Sequence, residues 1–179
     1  MTRPLRAAKP VPSTVLDRLK DAVGPGGFLE DPTDTQPFCE GWRDDFTGKT
    51  PLVLRPGTVE EVAAIVGICA ETGTAIVPQG GITGLTGASQ PHTDMSEVVV
   101  STQRMNRIRA IDLENDTMTV EAGVILAEIQ RTARDNKRLF PLSLGAEGSC
   151  QIGGNISTNA GGTQVLRYGN TRNLVLGLE

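Results

Sequence analysis

Apolar positions recur at helical spacing in three stretches of the chain. Leu16, Leu19 and Val23 share one face of Ser13–Val23, which Ser13 can N-cap and Gly24-Pro25 stops. Val62, Ile65, Val66 and Cys69 form the stripe of Thr58–Glu71, opened by a Thr58/Glu61 capping box and closed by Gly73. Leu126, Ile129 and Ala133 face inward from Ile125–Asn136, where Arg131, Arg134 and Lys137 suit the negative end of the helix dipole. Short apolar runs at 52–54, 75–77 and 98–100 predict strands, as do 107–113 and 117–121 across a turn at 114–116. The strand–helix–strand order around Thr58–Glu71 predicts a β-α-β unit with parallel strands and a right-handed crossover. Residues 24–51 are rich in Gly, Pro, Asp and Thr and read as irregular, with Trp42 packed on the core or lining a groove. Leu174–Leu178 reads as an unfinished strand.

Two stretches break these periods. Residues 78–89, Pro-Gln-Gly-Gly-Ile-Thr-Gly-Leu-Thr-Gly-Ala-Ser, hold four glycines in eight residues and follow the strand 75–77. Successive amides in such a loop can form a concave nest for an anion such as the pyrophosphate of a dinucleotide. A glycine-rich hairpin turn is the alternative. The second stretch, Gly145–Gly162, has six glycines in eighteen residues, together with Asn155, Ser157, Thr158 and Asn159. That is poor core material, suited to a backbone closing around a polar, extended ligand. A long structural loop is its alternative.

Composition narrows the function classes. The 17 basic residues are dispersed and outnumbered by 21 acidic ones, and aromatics make up 3%, so nucleic-acid binding is not expected. Met1–Lys20 lacks a signal-peptide core, and the longest nearly apolar run, Val62–Ala70, is too short to span a bilayer. Cys39, Cys69 and Cys150 are an odd, scattered set, which fits reduced thiols and a cytoplasmic location, with peripheral attachment at an inner membrane face as a variant. With His92 as the only histidine, no metal site is expected in this chain. Gly48-Lys49-Thr50 imitates the end of a P-loop, but Arg43 and Pro51 stand where a glycine and a helix are needed.

The first loop lacks G-x-G-x-x-G, since Ile82 follows Gly80 by two, and no helical pattern begins directly after it. The combination resembles the FAD-binding domain of the vanillyl-alcohol oxidase or PCMH type, in its D-2-hydroxy-acid dehydrogenase branch. The resemblance rests on Leu54-Arg55-Pro56, Pro78–Leu85, Leu144–Gly162, Arg167-Tyr168-Gly169 and Val175–Glu179. That branch includes D-lactate and D-2-hydroxyglutarate dehydrogenases and the FAD subunit of glycolate oxidase. The resemblance implies an α+β fold: a small β-α-β subdomain at 52–90, then a mixed or antiparallel-sheet subdomain at 91–179, with 1–51 an amino-terminal helix and irregular segment. It implies non-covalent FAD held by both subdomains. Pro78, Gly80, Gly81, Ile82, Thr83, Gly84 and Leu85 would hold the pyrophosphate and ribityl region. Gly145, Gly148, Ser149, Gly153, Gly154, Asn155, Thr158, Asn159 and Gly161 would line the rest. Ile82 departs from the family's common asparagine and Ala88 from a common glycine.

Some members of the wider family attach FAD through a histidine, but His92 lies past the loop and reads as a solvated or packing residue. Cys150 has no base placed for it and takes a lining or core role. No catalytic residue is assigned. The resembled enzymes are longer, with substrate groups, a divalent metal and a general base in a later cap domain. The chain is therefore expected to be the amino-terminal, truncated part of such an enzyme. The resemblance implies a small 2-hydroxy-acid substrate and an acceptor protein or quinone, and a homodimer is compatible with it. A sugar or aromatic-alcohol oxidase of the same superfamily and a non-catalytic nucleotide-binding fragment stay open.

Overall fold

Three consecutive valines, Val98, Val99 and Val100, set the architecture of the first unit. All three are buried, as expected of a strand covered on both faces. They lie in β4 (Glu97–Ser101), within a computed structural model that describes residues 9–43 and 46–179. Residues 1–8, part of the stretch lacking a signal-peptide core, lie outside the described residues. The sheet contains β1 (Phe28–Leu29), β2 (Val53–Leu54) and β3 (Ala75–Gln79) besides β4, in the order β1-β2-β4-β3. Both β2 and β3 run parallel to β4, meeting it at Val53↔Val99 and Val77↔Val99, and β1 pairs antiparallel with β2. The β-α-β unit thus has its parallel strands, but β4 is inserted between them.

Alternation along the strands divides the contacts of the sheet into two sets. Leu54, Val98 and Val100 pack with Val15, Leu19 and Val23 of α1 (Ser13–Val23) and with Ile65 and Cys69 of α3 (Val59–Thr72). Val53, Val77 and Val99 pack instead with Phe38 of α2 (Pro32–Cys39), and Leu29 and Ile82 join them. The helix α2 lies in the segment expected to be irregular. Asp31 caps it by accepting the Thr33 amide at 2.8 Å, and Pro32 occupies the tolerated first turn. Pro37 inside the helix removes one amide donor and obscures the pattern.

Other details differ from expectation for local reasons. Pro12, in extended conformation, occupies the N-cap position of α1, so Ser13 is the first helical residue rather than the cap. Thr58 caps α3 by accepting the Glu61 amide at 3.2 Å, while Glu61 accepts from Gly57 at 2.7 Å. The buried stripe of α3 is Ile65 and Cys69 with Ile68 alongside. Val66, about 100° around the helix from Ile65, is 50% exposed. Trp42 is 76% exposed, so it does not pack in the core.

The second compact unit runs from Thr102 to Glu179. Its ribbon pairs β5 (Ile108–Asp112) antiparallel with β6 (Thr117–Val120), with a bulge between Ile108 and Ala110. Asp112 accepts the amides of Glu114 and Asn115 at 3.0 Å each, and Asp116 takes the left-handed φ of 53° that closes the turn. The helix α4 (Leu126–Asp135) buries Leu126, Ile129 and Ala133, as its periodicity predicts. Val124, Ile129 and Ile152 form one core cluster, with Ile108, Met118 and Val120 packed against it; Leu126, Leu142 and Cys150 form another. The expected glycine-rich loop is partly helical, as α5 (Ile152–Ser157), and α6 (Val165–Tyr168) follows it. A 3₁₀ turn at Thr171–Leu174 replaces the start of the expected final strand. Residues 175–179 join no described strand, and Leu176 and Leu178 are 84% and 77% exposed.

One carboxylate pins the ribbon of the second unit. The buried Glu121 accepts the Arg107 amide at 2.8 Å and the Arg107 guanidinium at 2.8 and 3.1 Å, with Arg109 at 3.5 Å. The Arg107 hydrogen bonds hold its carboxyl below the ordinary glutamate value, against the opposing cost of burial. A depressed folded-state value adds stability that is present above the unfolded carboxyl's range and is lost as pH falls through the folded value. Glu121→Gln is expected to lower stability by about 1–2 kcal/mol at neutral pH. That deficit shrinks on acidification, as read from urea midpoints across pH, and a deficit independent of pH would contradict the assignment.

Candidate functional site

The strand β3 delivers the chain to Gly80 at the carboxyl end of a parallel pair, the edge where open α/β sheets place ligands. From there to Ala88 the loop forms no helix and no strand. Among the described residues, none of the amides from Ile82 to Gly87 donates to a backbone carbonyl. The left-handed conformations of the loop fall on Ile82 (φ 54°) and Gly87 (φ 74°). At Gly87 a side chain would also meet the Phe46 ring, 2.5 Å from an added Cβ. Ile82 is the unusual case, because a β-branched residue rarely adopts positive φ. Its side chain packs against Phe38, Val53, Val77 and Val99, which keeps it there. Pro78 and Leu85 are exposed, whereas Gly80, Gly81 and Thr83 are half-buried.

The residue missed by sequence reasoning is Gln79. It is 2% exposed, and its side-chain nitrogen donates to the carbonyls of Phe38 (2.6 Å) and Ser89 (2.5 Å). Its signal was available, since it follows the buried Val77 by two strand positions.

In the second unit the expected ligand residues separate into two groups. Gly153 lies against Ala122, 2.9 Å from an added Cβ, and Gly161 lies against Asn170 and Val165 at 3.0 and 3.1 Å. Packing within the chain accounts for both. Gly162, beside them, would place a Cβ 2.0 Å from the Ser143 carbonyl oxygen. Gly145, Gly148 and Gly154, like Gly84 in the first loop, have open space at the Cβ position and no left-handed φ. The fold gives no reason for a glycine at those four positions, and the close approach of a ligand would.

The side chains divide in the same way. Thr158 donates to the Gly154 carbonyl at 2.9 Å, Asn159 accepts the Arg172 amide at 3.1 Å, and Ser149 reaches the Ala146 carbonyl at 3.5 Å. Asn155 is 6% exposed, and its Oδ1 has no partner among the described residues. A buried orphan acceptor calls for a donor from outside the chain. In the first unit, the loop amides without a backbone acceptor among the described residues suit an anion such as a diphosphate. In the second unit, taken by itself, the open glycines suit an extended ligand and the Asn155 oxygen suits a hydrogen-bond donor.

The remaining candidates are the histidine and the three cysteines. The His92 side chain is 79% exposed and pairs with Glu97 at 3.0 Å. Burial pushes the thiols of Cys39, Cys69 and Cys150 up, so they stay protonated, and the Asn155 side chain hydrogen-bonds Cys150. All three are free and buried. Among the described residues no three His, Cys, Asp or Glu side chains gather into a metal-binding group, and no helix is long and apolar enough to cross a membrane.

This sorting yields a stability contrast. Gly162→Ala is expected to cost several kcal/mol of stability through overlap with the Ser143 carbonyl, whereas Gly84→Ala, Gly145→Ala and Gly148→Ala stay within about 1 kcal/mol of the parent. Chemical denaturation of the ligand-free chain checks it, and a tolerated Gly162→Ala would refute the packing account.

Comparison with known proteins identifies the family and the fold. The family described as "FAD binding domain" matches residues 50–179. The mitochondrial D-2-hydroxyglutarate dehydrogenase of Bos taurus is 41% identical over 159 residues, covering 89% of this chain and 29% of that protein. The mitochondrial D-2-hydroxyglutarate dehydrogenase of Arabidopsis thaliana is 40% identical over 160 residues, covering 89% of this chain and 28% of its own length. The chain thus spans under a third of the length of these relatives. Their mitochondrial names overturn the cytoplasmic expectation. Scattered thiols report a reducing environment, which several compartments provide.

Two solved structures share the fold. An alkyldihydroxyacetonephosphate synthase has a TM-score of 0.81 at 20% identity, covering 96% of this chain and 33% of that one. The xylooligosaccharide oxidase from Myceliophthora thermophila has a TM-score of 0.73 at 22% identity, covering 89% and 33%. The fold class is therefore the α+β, PCMH-type FAD-binding fold. By its matched residues, its relatives and its fold, the chain belongs to the PCMH-type FAD-binding domain family.

Proposed function

We propose that this chain is the FAD-binding portion of a flavin-dependent oxidoreductase that oxidises a D-2-hydroxy acid, of lactate, 2-hydroxyglutarate or glycolate type, to the 2-oxo acid. The observation that carries the reading is the run of amides from Ile82 to Gly87 with no backbone acceptor among the described residues. The identity of about two in five residues to dehydrogenases of that substrate class supports it.

FAD, when bound, supplies the hydride acceptor for oxidation at the hydroxyl-bearing carbon. The work of this chain is to hold and orient. In the proposed site Pro78, Gly80, Gly81, Thr83, Gly84 and Leu85 surround the diphosphate, and Ile82 shapes the loop and offers its amide. Gly145, Gly148 and Gly154 let the cofactor approach the backbone, and Asn155 accepts a hydrogen bond through Oδ1. Ser149, Gly153, Thr158, Asn159 and Gly161 contribute backbone shape, because their side chains or Cα positions already serve the fold. Substrate contacts, a divalent metal and the general base belong, in this reading, to a later domain of a longer protein. That domain would also meet the electron acceptor, a protein or quinone.

Titrating the purified chain with FAD while following flavin fluorescence tests the proposal. Saturable quenching is expected, weakened about tenfold or more in Gly84→Ala or Gly148→Ala, a change equivalent to about 1.4 kcal/mol. Failure of the parent chain to take up FAD would sink the cofactor reading. With D-lactate or D-2-hydroxyglutarate and a dye acceptor, the FAD-loaded chain is expected to show no turnover. Measurable oxidation of either acid would place the substrate groups within these 179 residues.

A further inference from the structure

Backbone amides bind an anion well only when they already converge before the ligand arrives. The loop after β3 has no helix or ladder of its own to impose that convergence. Its order must come from side chains anchored elsewhere, and the buried Gln79 makes the contacts that would provide it. The Nε2 of Gln79, the residue immediately before the loop, donates to the carbonyl of Ser89, the residue at its far end, at 2.5 Å. The same nitrogen donates to the carbonyl of Phe38, near the carboxyl end of α2, at 2.6 Å. One carboxamide therefore joins the two ends of the loop and fastens both to a helix.

A primary amide suits this position, because its single nitrogen carries two N–H donors for two carbonyl acceptors. Orientation follows from the strand. Gln79 stands two residues after Val77, which packs against Phe38 in the α2 cluster, so both project from the same face of β3. Ile82 adds a second attachment to that cluster. Its φ of 54° is strained for a β-branched residue and persists while the side chain stays packed.

We propose that Gln79 is the positioning residue of this loop. Its carboxamide clasps residues 79 and 89 to α2 and so keeps the amides of Ile82–Gly87 convergent. The effect on cofactor affinity rests on the FAD reading above, whereas the effect on loop order does not.

The test replaces the clasp with an apolar side chain of similar length, Gln79→Met, in the 179-residue chain. Backbone order parameters for residues 80–88 are measured by NMR relaxation without FAD, alongside the FAD dissociation constant. In the parent the loop is expected at an order parameter of about 0.85, falling below about 0.6 in the variant, with β2 and α3 unchanged. The FAD dissociation constant is expected to rise about tenfold or more. A residue serving stability alone would lower the melting temperature and leave both readouts where they were. Gln79→Asn, which keeps the polarity but shortens the reach by one methylene, serves if the methionine variant does not fold, with the same loosening expected. Loop order in the folded variant equal to that of the parent would overturn the proposal. A parent with an ordered loop and no affinity for FAD would defeat the FAD reading, while the order parameters of the variant would still decide the clasp.

Discussion

Backbone amides that find no acceptor inside a protein must meet solvent or a ligand, and a chain that leaves several of them together gives up its own means of holding that segment in shape. Among the described residues, the amides from Ile82 to Gly87 find no backbone acceptor, and the loop around them is in this position. Its geometry is set from outside, by the Gln79 carboxamide at its ends, by Ile82 in the α2 cluster and by the Phe46 ring against Gly87. Two of these three attachments lead to Phe38. The short helix α2 is therefore the buttress of the loop, and the alternation of Val53, Val77 and Val99 against Leu54, Val98 and Val100 puts that buttress on the face where the loop needs it.

The second glycine-rich segment answers the same constraint differently. Many of its amides are bonded within the unit: Cys150 to Ala146, Ile152 to Val124, Gly153 to Ala122 and Ala160 to Asn155. Arg172 adds donors to the carbonyls of Ile156 and Ser157, at 2.9 and 2.7 Å, at the end of α5. Glycine here has two distinct uses. At Gly153, Gly161 and Gly162 it lets the backbone pass close to other parts of the unit, and at Gly145, Gly148 and Gly154 it leaves space that the chain does not fill. Residues of one type, spaced within one motif, thus carry separate physical roles.

The elements with strong local signals were legible. The stripe of Leu126, Ile129 and Ala133, the Thr58 cap and the Asp112 turn each depend on neighbours within a few residues, so the sequence states them directly. The helix α2 was hidden because Pro37 and the polar residues of Pro32–Cys39 mimic a loop, while what holds the helix is Phe38 packed under the sheet. The same limit applied to Val66, which fits an apolar stripe by type and is turned outward by the angle of the helix.

The residues alone determined the glycine loops, the strand that leads into the first and the main helices, because each rests on short-range spacing, while the family was legible as a resemblance carried by the two glycine motifs. Tertiary structure decided that β4 lies between β2 and β3, that Ile82 is held at positive φ, and which glycines face open space. It also decided that Gln79 reaches Ser89 and Phe38, and that Asn155 keeps a buried acceptor unpaired among the described residues. Each of these depends on which distant residue arrives next to which, and burial and hydrogen bonding between remote segments leave no period or spacing in a single sequence to announce them.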